Sequence, residues 1–320
     1  MTQATPDHPH DYDGEVPDRL PPATVRELSR LDPAHAAVAI VVEWSAIVAA
    51  IALCEALGGG WLYPLTVIFI GARQHALVVL GHDAVHYRLL PIRWLNDAVA
   101  NLLLWWPCAA TNEVFRQSHG AHHRYLGTER DGNIALWRLR GPDGRPTREW
   151  TYPKTPAQLV AKILWRGCGL TGAAMVLVGL LRPLRRVGLV YGLVRLAVLG
   201  AVASAFAAAG RLDLLAYYWL VPLTTWFVAS NYIRLICEHS QVRSDHPLYA
   251  LTRTTLPSWF DLLFIVPRNI SYHYEHHIYP SVPFYNLPAL HAAMQRLPGY
   301  RAHAHVTRGV WRALAECTRR

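Results

Sequence analysis

The sequence has 320 residues, of which 52% are hydrophobic, only 17% are charged and 12 are tryptophan. That composition is too apolar and too aromatic for a typical soluble enzyme, and it suits a membrane protein with several spans and aromatic side chains at the membrane interface. The formal net charge is +9, but the basic residues form short clusters between apolar segments and no nucleic-acid-binding motif is present, so the charge does not predict binding to DNA or RNA.

The chain begins with a polar tail, residues 1–34, predicted to be disordered to about Pro22 and then to form a short amphipathic helix over Ala23–Leu31. The tail has no basic start followed by an apolar run, so it does not predict a signal peptide. His35–Leu57 and Trp61–Gly81 follow, and each is long and apolar enough for one crossing at about 20 residues per span. We expect them to form a helical hairpin that opens a single integral membrane domain, residues 35–320.

Two further apolar segments are predicted to lie at the membrane interface. Trp94–Ala110 is short for a full crossing, and the histidines on either side of it must share one site, so it predicts an interfacial or re-entrant helix. Thr111–Arg124 predicts a helix, and Tyr125–Pro156 predicts a polar loop. Gln158–Leu181 predicts an interfacial or half-penetrating helix, because a full crossing would place the basic run at 182–186 outside, against the positive-inside rule.

Val187–Ala209 and Leu212–Ile236 predict a second helical hairpin. The fold class is therefore an all-α membrane protein with about four spans, interfacial helices and a histidine-rich, metal-binding helical cap. Both hairpins bring their histidines to the same side, and the positive-inside rule makes that side cytoplasmic. Five cysteines without a C-x-x-C pair agree with a reducing compartment. We expect the protein in a bacterial inner membrane.

Histidines are concentrated near the ends of these apolar segments. Nine of the 17 fall into four clusters, and we predict all nine as metal ligands. They are His82, His86, His119, His122, His123, His239, His273, His276 and His277. On a helix, spacings of three and four residues place the imidazoles of one cluster on one face. Because one catalytic zinc ion needs only three protein ligands, nine histidines are enough for two metal ions, and imidazole suits iron, zinc, copper or nickel.

Acidic residues near these histidines are candidate acceptors for the ring N–H groups that do not face a metal. They are Asp83, Glu238, Glu275 and Asp131. For Asp83 and Glu275, the role of a merely solvated neighbour is equally open.

Polar residues also interrupt the spans. Along a helix with a rise of about 1.5 Å per residue, Arg73 lies about 13 Å before His82, near the membrane midplane. Folding the hairpin at Gly59 brings Glu43 of the first span opposite His75 and within reach of the longer Arg73 side chain. An intramembrane arginine is costly unless paired, so we favour a structural pair of Glu43 and Arg73. In the alternative, Arg73, His75 and Asn231 line the substrate cavity and hold a polar or carboxylate group.

The segments H-D-A-V-H, R-Q-S-H-G-A-H-H-R and H-Y-E-H-H-I-Y-P-S-V-P-F-Y-N-L resemble the three histidine boxes of the membrane fatty acid desaturase and hydroxylase superfamily, in its bacterial desaturase-like branch. The resemblance extends from about Trp61 to Ala293. It implies a non-haem diiron centre held by the nine histidines, O2 as co-substrate, and oxidation of an unactivated C–H bond. One departure is Leu235, which stands where animal acyl-CoA desaturases carry an asparagine, with Asn231 one turn earlier.

The resemblance favours desaturation of a fatty acyl chain, a lipid or a lipid-like small molecule. Hydroxylation of a small amphipathic metabolite at the same diiron site is the alternative. A non-enzymatic haem or metal-carrying membrane protein is a third class, although the clusters lie at span ends rather than deep in the bilayer. No H-P-G-G motif of a fused cytochrome b5 is present, so we expect a separate ferredoxin- or cytochrome-type electron donor. Zinc suits imidazole as well and is expected as a substitute metal in purified protein.

Overall fold

The structure is a computed structural model that describes residues 18–126, 128, 130–133, 147 and 150–319. Most of these residues are helical. The helices are α1 (Pro22–Leu28), α2 (Pro33–Ala56), α3 (Leu62–Val85), α4 (Arg93–Ala100), α5 (Asn112–Tyr125), α6 (Pro156–Gly167), α7 (Leu170–Arg186), α8 (Leu189–Ala208), α9 (Leu212–Leu215), α10 (Val221–Thr224), α11 (Trp226–His239), α12 (Trp259–Phe264), α13 (His273–Ile278), α14 (Leu287–Met294), α15 (Pro298–His303) and α16 (Val310–Glu316). Segments of π-helix at Asn101–Trp105 and Ala216–Leu220, and of 3-10 helix at Pro247–Tyr249 and Phe284–Asn286, complete the helical structure described.

Four helices are long and apolar enough to cross a membrane. They are α2, α3, α8 and the composite helix Leu212–His239, which contains α9, α10 and α11. They overlap the four predicted spans, so the prediction of an all-α protein with about four candidate spans is confirmed. The pair α6 and α7 is bent by 49° at its break and would count as a fifth if it crossed as one unit. The half-penetrating segment predicted at 158–181 falls on this bent pair.

Several element ends differ from the predictions. The sequence predicts that the second span ends at Gly81, but α3 continues to Val85 and so carries His82 inside a regular helix. The helix predicted over Trp94–Ala110 corresponds to α4 and the π-helical segment that directly follows it, and it ends at Trp105 rather than at Ala110. Residues 1–17 of the predicted tail and positions 134–146 of the predicted polar loop lie outside the described residues. The division of the chain at residue 34 stays a prediction.

Helix α3 occupies the centre of the helical bundle. In the most apolar 18-residue stretch of each helix, 72% of α3 is buried inside the protein, against 28% of α2 and 11% of α8. Gly71 allows α3 to approach α11 closely, because a Cβ atom there would lie 2.8 Å from Cβ of Trp226 and 2.9 Å from the backbone nitrogen of Phe227. The C-terminal ends of α3 and α11, which carry His82 and His239, border one cleft.

Helix α5, which carries the second histidine box, is joined to the end of α3 by Arg116. The guanidinium donates to the carbonyl oxygens of Ala84 at 3.1 Å and Val85 at 3.0 Å, and it pairs with Asp97 at 2.6 Å. The last carbonyl groups of a helix have no partner within the helix. Arg116 therefore satisfies the end of α3 and fixes α5 against it.

The third histidine box lies on the short helix α13. This helix is attached to a two-stranded parallel sheet, β1 (Thr254–Leu256) and β2 (Val306–Arg308), in which Thr254 pairs with Val306. The Glu275 carboxylate in α13 accepts a hydrogen bond from the Thr254 side chain and lies 2.6 Å from Nδ1 of His291. The sheet is not part of the predicted fold, and it is too short to change the all-α class.

Candidate metal centre

The nine predicted histidines come together as two groups in the structure. The first histidine group consists of His82, His86, His119, His123 and His276. The second histidine group consists of His122, His239, His273 and His277. Within each group, one ring nitrogen from every member lies within 4.8 Å of the others. Each group therefore offers a set of nitrogen donors of the size that one metal ion uses.

The second and third boxes each contribute to both groups. His119 and His123, four residues apart on α5, belong to the first group, whereas His122 belongs to the second. On α13, the split is reversed, since His276 belongs to the first group and His273 to the second. The two helices therefore hold the groups next to each other.

The spacing of the donor atoms fits metal ions. Nε2 of His119 lies 3.0 Å from Nε2 of His86 and 3.0 Å from Nε2 of His123, and in the second group Nε2 of His273 lies 3.0 Å from Nε2 of His239. Metal–nitrogen bonds of about 2.1 Å at right angles would place two ligand atoms about 3.0 Å apart. His82 is 1% exposed, and neither of its ring nitrogens has a hydrogen-bond partner among the described residues. A buried polar atom without a partner is costly, so a metal ion would complete this site.

Burial also gives the imidazoles the protonation state of a ligand. Removal from solvent, with the charges of Arg88 and Arg116, lowers the pKa of His86 to about 4. Burial likewise lowers the pKa of His123 and His276 well below the usual range of histidine, and the neighbouring histidines lower it further. These imidazoles are therefore neutral near pH 7, as metal ligands must be.

Two of the four predicted acidic neighbours contact a histidine of the groups. Asp131 lies 2.8 Å from Nδ1 of His122, which leaves Nε2 of that ring for the second group. Glu238 lies 3.4 Å from Nδ1 of His273. The Asp131 contact has the arrangement in which a carboxylate orients a ligating imidazole, whereas Nδ1 of His273 forms no hydrogen bond with any described residue.

The other two carboxylates have different partners from those predicted. One oxygen of Asp83 accepts a hydrogen bond from the backbone N–H of Phe284 at 2.7 Å, and the other remains 3.9 Å from Nδ1 of His82. Glu275 binds Thr254, His291 and Tyr300, none of which belongs to the histidine groups. The physical reason is direction, because a side chain next to a ligand in a helix points to another face. Both are buried, so neither is a solvated neighbour.

A cleft opens onto both histidine groups. His82 and His119 of the first group line it, and so do three members of the second, His122, His239 and His273. Its apolar wall is formed by Val78, Phe115 and Leu235, and its polar wall by Asn133, Asn231, Arg234 and Glu238. The side chains that meet a bound molecule there would also face both groups.

Only one of the three residues predicted to line the substrate cavity lines this cleft. Asn231 lines the cleft, but Arg73 and His75 do not. His75 lies on the same face of α3 as His82, yet that position is filled by α11, where Oγ of Ser230 lies 3.1 Å from Nδ1 of His75. Arg73 forms the favoured pair with Glu43, at 3.1 Å.

Sequence reasoning missed two arginines. Arg268, just before α13, donates from Nε to the same Glu43 carboxylate at 2.7 Å, and nothing in the local sequence indicates this contact across 225 positions. Arg234 lines the cleft and pairs with Glu238 at 2.6 Å. A signal for Arg234 does exist, because an arginine and a glutamate four residues apart at the end of an apolar span are expected to pair.

Comparison with known proteins finds that this chain is similar to desaturases. A sequence model described as fatty acid desaturase matches residues 59–309. The chain is 28% identical over 293 residues to the dihydrorhizobitoxine desaturase of Bradyrhizobium elkanii. This match covers 86% of this chain and 80% of that protein. It is 29% identical over 252 residues to the sphingolipid delta(4)-desaturase/C4-monooxygenase DES2 of Homo sapiens, covering 74% of this chain and 67% of that protein. It is 23% identical over 266 residues to the sn-1 oleoyl-lipid 12-desaturase of Anabaena variabilis, covering 78% and 73%.

Proposed function

From the premise that this chain belongs to the fatty acid desaturase family, we propose that it holds two iron ions in its two histidine groups and uses O2 to oxidise an unactivated C–H bond. The membership confirms the predicted family and the predicted class of oxidoreductase. The observation that carries the proposal is the division of nine histidines into two groups, since one metal ion would leave nearly half of them unused. Bound iron would supply the redox chemistry with O2, which amino-acid side chains do not provide.

The chain's own residues have separate tasks in this proposal. Helices α5 and α13 each contribute to both groups and so would fix the distance between the ions. Asp131 orients the ring of His122, and Glu238 lies next to the ring of His273. The cleft, which members of both groups line, would admit the substrate.

We place the histidine groups in a helical cap on the cytoplasmic side of a bacterial inner membrane. The candidate span α3 and the composite helix Leu212–His239 both end at the groups, so the groups lie at one end of the spans. Arg88 and Arg116 lie beside the first group, and the positive-inside rule favours the cytoplasm for such residues.

Desaturation of a fatty acyl chain, a lipid or a lipid-like small molecule is the favoured reaction. Hydroxylation is the second candidate, because the name of one relative joins a desaturase with a C4-monooxygenase. Both reactions remove a hydrogen atom from the same kind of carbon, so the same histidine geometry suits either. The electron donor would be a separate ferredoxin- or cytochrome-type protein, and one relative is named as an omega-3 desaturase (ferredoxin) of Nostoc sp. (strain 36).

The test is product analysis with the full chain in lipid nanodiscs, loaded with iron and supplied with O2, NADPH as the source of electrons, a reductase, either a ferredoxin or a cytochrome b5, and a fatty acyl lipid or a short-chain acid as substrate. We expect two iron ions per chain and a product that has lost two hydrogens, or gained one oxygen if the enzyme is a hydroxylase. Zinc-loaded protein should be inactive, so the metal count must accompany turnover.

His276→Ala, which removes a member of the first group, should abolish turnover, whereas His303→Ala should preserve it because His303 pairs with Asp245 outside both groups. One iron ion per active chain, or a haem absorption band, would contradict the proposal.

A further inference from the structure

A cationic side chain lies on the polar wall of the cleft. Arg234 stands in α11, five residues before His239, and is 8% exposed. Its Nε donates to the Glu238 carboxylate at 2.6 Å, whereas its two terminal nitrogens form no hydrogen bond with any described residue. A guanidinium in an apolar span is costly unless its donors are satisfied. Because Arg234 lines the cleft and its terminal nitrogens have no hydrogen-bond partner in the described part of the chain, these donors are available to a ligand there.

Asn231 is a second polar group on the same wall. It precedes Arg234 by three residues, and residues at that spacing project from the same face of a helix. Its side-chain amide has no hydrogen-bond partner in the described part of the chain. The two side chains together present several N–H donors to the same space.

The chemistry of this wall favours a carboxylate. The planar guanidinium fork matches the two oxygens of a carboxylate with two parallel hydrogen bonds. The methylene groups of a long acyl chain would instead bury these donors without partners. The apolar wall consists of Val78, Phe115 and Leu235, and the cleft has a volume of about 50 Å³, which suits a short carbon skeleton rather than a long one.

We propose that Arg234, assisted by Asn231, binds the carboxylate of a small organic acid and so places a C–H bond near that carboxylate in front of both histidine groups. Glu238 holds the guanidinium through Nε and leaves the terminal nitrogens for the acid. The same Glu238 lies 3.4 Å from Nδ1 of His273, so the acid-binding residues are adjacent to the second group. The oxidation of this acid rests on the proposed function, but its binding does not.

The test measures binding without turnover. The full chain in nanodiscs is loaded with zinc and titrated calorimetrically with straight-chain carboxylic acids of three to eight carbons and with their methyl esters. At least one acid should bind, and its ester should bind at least about tenfold more weakly, since a hydrogen bond to a charged group contributes that much or more. Arg234→Gln should remove the preference for the acid while keeping two zinc ions per chain.

The controls separate binding from a structural role. Arg243→Gln makes the same change at an exposed position outside the cleft and should bind as the unaltered protein does. If Arg234 only positions Glu238, then Arg234→Gln and Glu238→Gln will both lower the zinc content and leave the preference for acids unchanged, which overturns the proposal. Failure of every acid to bind, or equal binding of acids and esters, overturns it as well. If the protein binds acids through Arg234 but the iron-loaded protein oxidises no substrate, the proposed function is wrong and the proposed carboxylate site is retained.

Discussion

At the scale of single residues, neighbouring histidines serve different sites. His122 and His123 are adjacent in α5, yet they enter different histidine groups. A helix turns by about 100° per residue, so two adjacent side chains diverge, whereas residues four apart, such as His119 and His123, nearly superimpose. The spacing of the histidines in H-G-A-H-H therefore lets one helix contribute ligands to both groups.

The sizes of the groups make a prediction about metal retention. His122→Ala leaves three histidines in the second group, and His86→Ala leaves four in the first. Four nitrogens complete a tetrahedral site, whereas three leave a position open. We expect His122→Ala to retain less metal than His86→Ala, because its site keeps one nitrogen donor fewer, and elemental analysis after dialysis measures the difference. Equal metal content in the two variants would show that the groups do not act as separate sites.

At the scale of elements, the helices that carry the boxes are positioned by contacts from outside the boxes. Helix α13 has six residues, and a helix that short does not form without tertiary support. Glu275 supplies that support through Thr254 in β1, His291 in α14 and Tyr300 in α15. The carboxylate that stands between the ligands in sequence thus fixes the helix that carries them.

The close packing of α3 and α11 is tested by a substitution at Gly71. Gly71→Ala places a Cβ atom 2.9 Å from the backbone nitrogen of Phe227, and backbone cannot move aside as a flexible side chain can. We expect a loss of roughly 1–3 kcal/mol in the free energy of unfolding and a lower metal content, because α3 and α11 both end in ligands. Thermal unfolding in detergent and elemental analysis measure the two effects.

The matched control is Gly200→Ala in α8, where a Cβ atom meets nothing within 4 Å. This change should be neutral or slightly stabilising, because alanine restricts the unfolded chain. If Gly71→Ala were equally neutral, the helices would not be in the close contact described.

At the scale of the whole molecule, one carboxylate connects the first hairpin with the segment that leads to the third box. Glu43 in α2 is 1% exposed and accepts from Arg73 in α3 at 3.1 Å and from Arg268 at 2.7 Å. Arg268 also donates to the carbonyl oxygen of Ala39 at 3.1 Å, and Arg73 donates to that of Leu263. The three charges hold the membrane helices and the metal-binding end in one arrangement.

This arrangement predicts an order of stabilities. Glu43→Gln leaves two guanidinium groups without a carboxylate, and breaking a buried pair in this way costs roughly 3–5 kcal/mol. Arg73→Leu leaves Glu43 paired with Arg268, so it should cost less, and because Arg73 does not line the cleft, substrate turnover should persist. Unfolding midpoints in detergent measure the order. A larger loss for Arg73→Leu, or a stable Arg73→Leu variant that keeps its metals but is inactive, would contradict the structural role.

The sequence by itself determined the parts of this protein that depend on local pattern. Apolar runs of about 20 residues identify the spans, because the bilayer fixes the length of a crossing, and spacings of three and four identify the histidine boxes, because the helix fixes its period. Only the tertiary structure decided which helical faces meet. It assigned the nine histidines to two groups, directed Glu275 to His291 rather than to a ligand, and brought Arg268 to Glu43. These contacts join side chains of different elements, and local periodicity contains no information about which face of another element a side chain will meet.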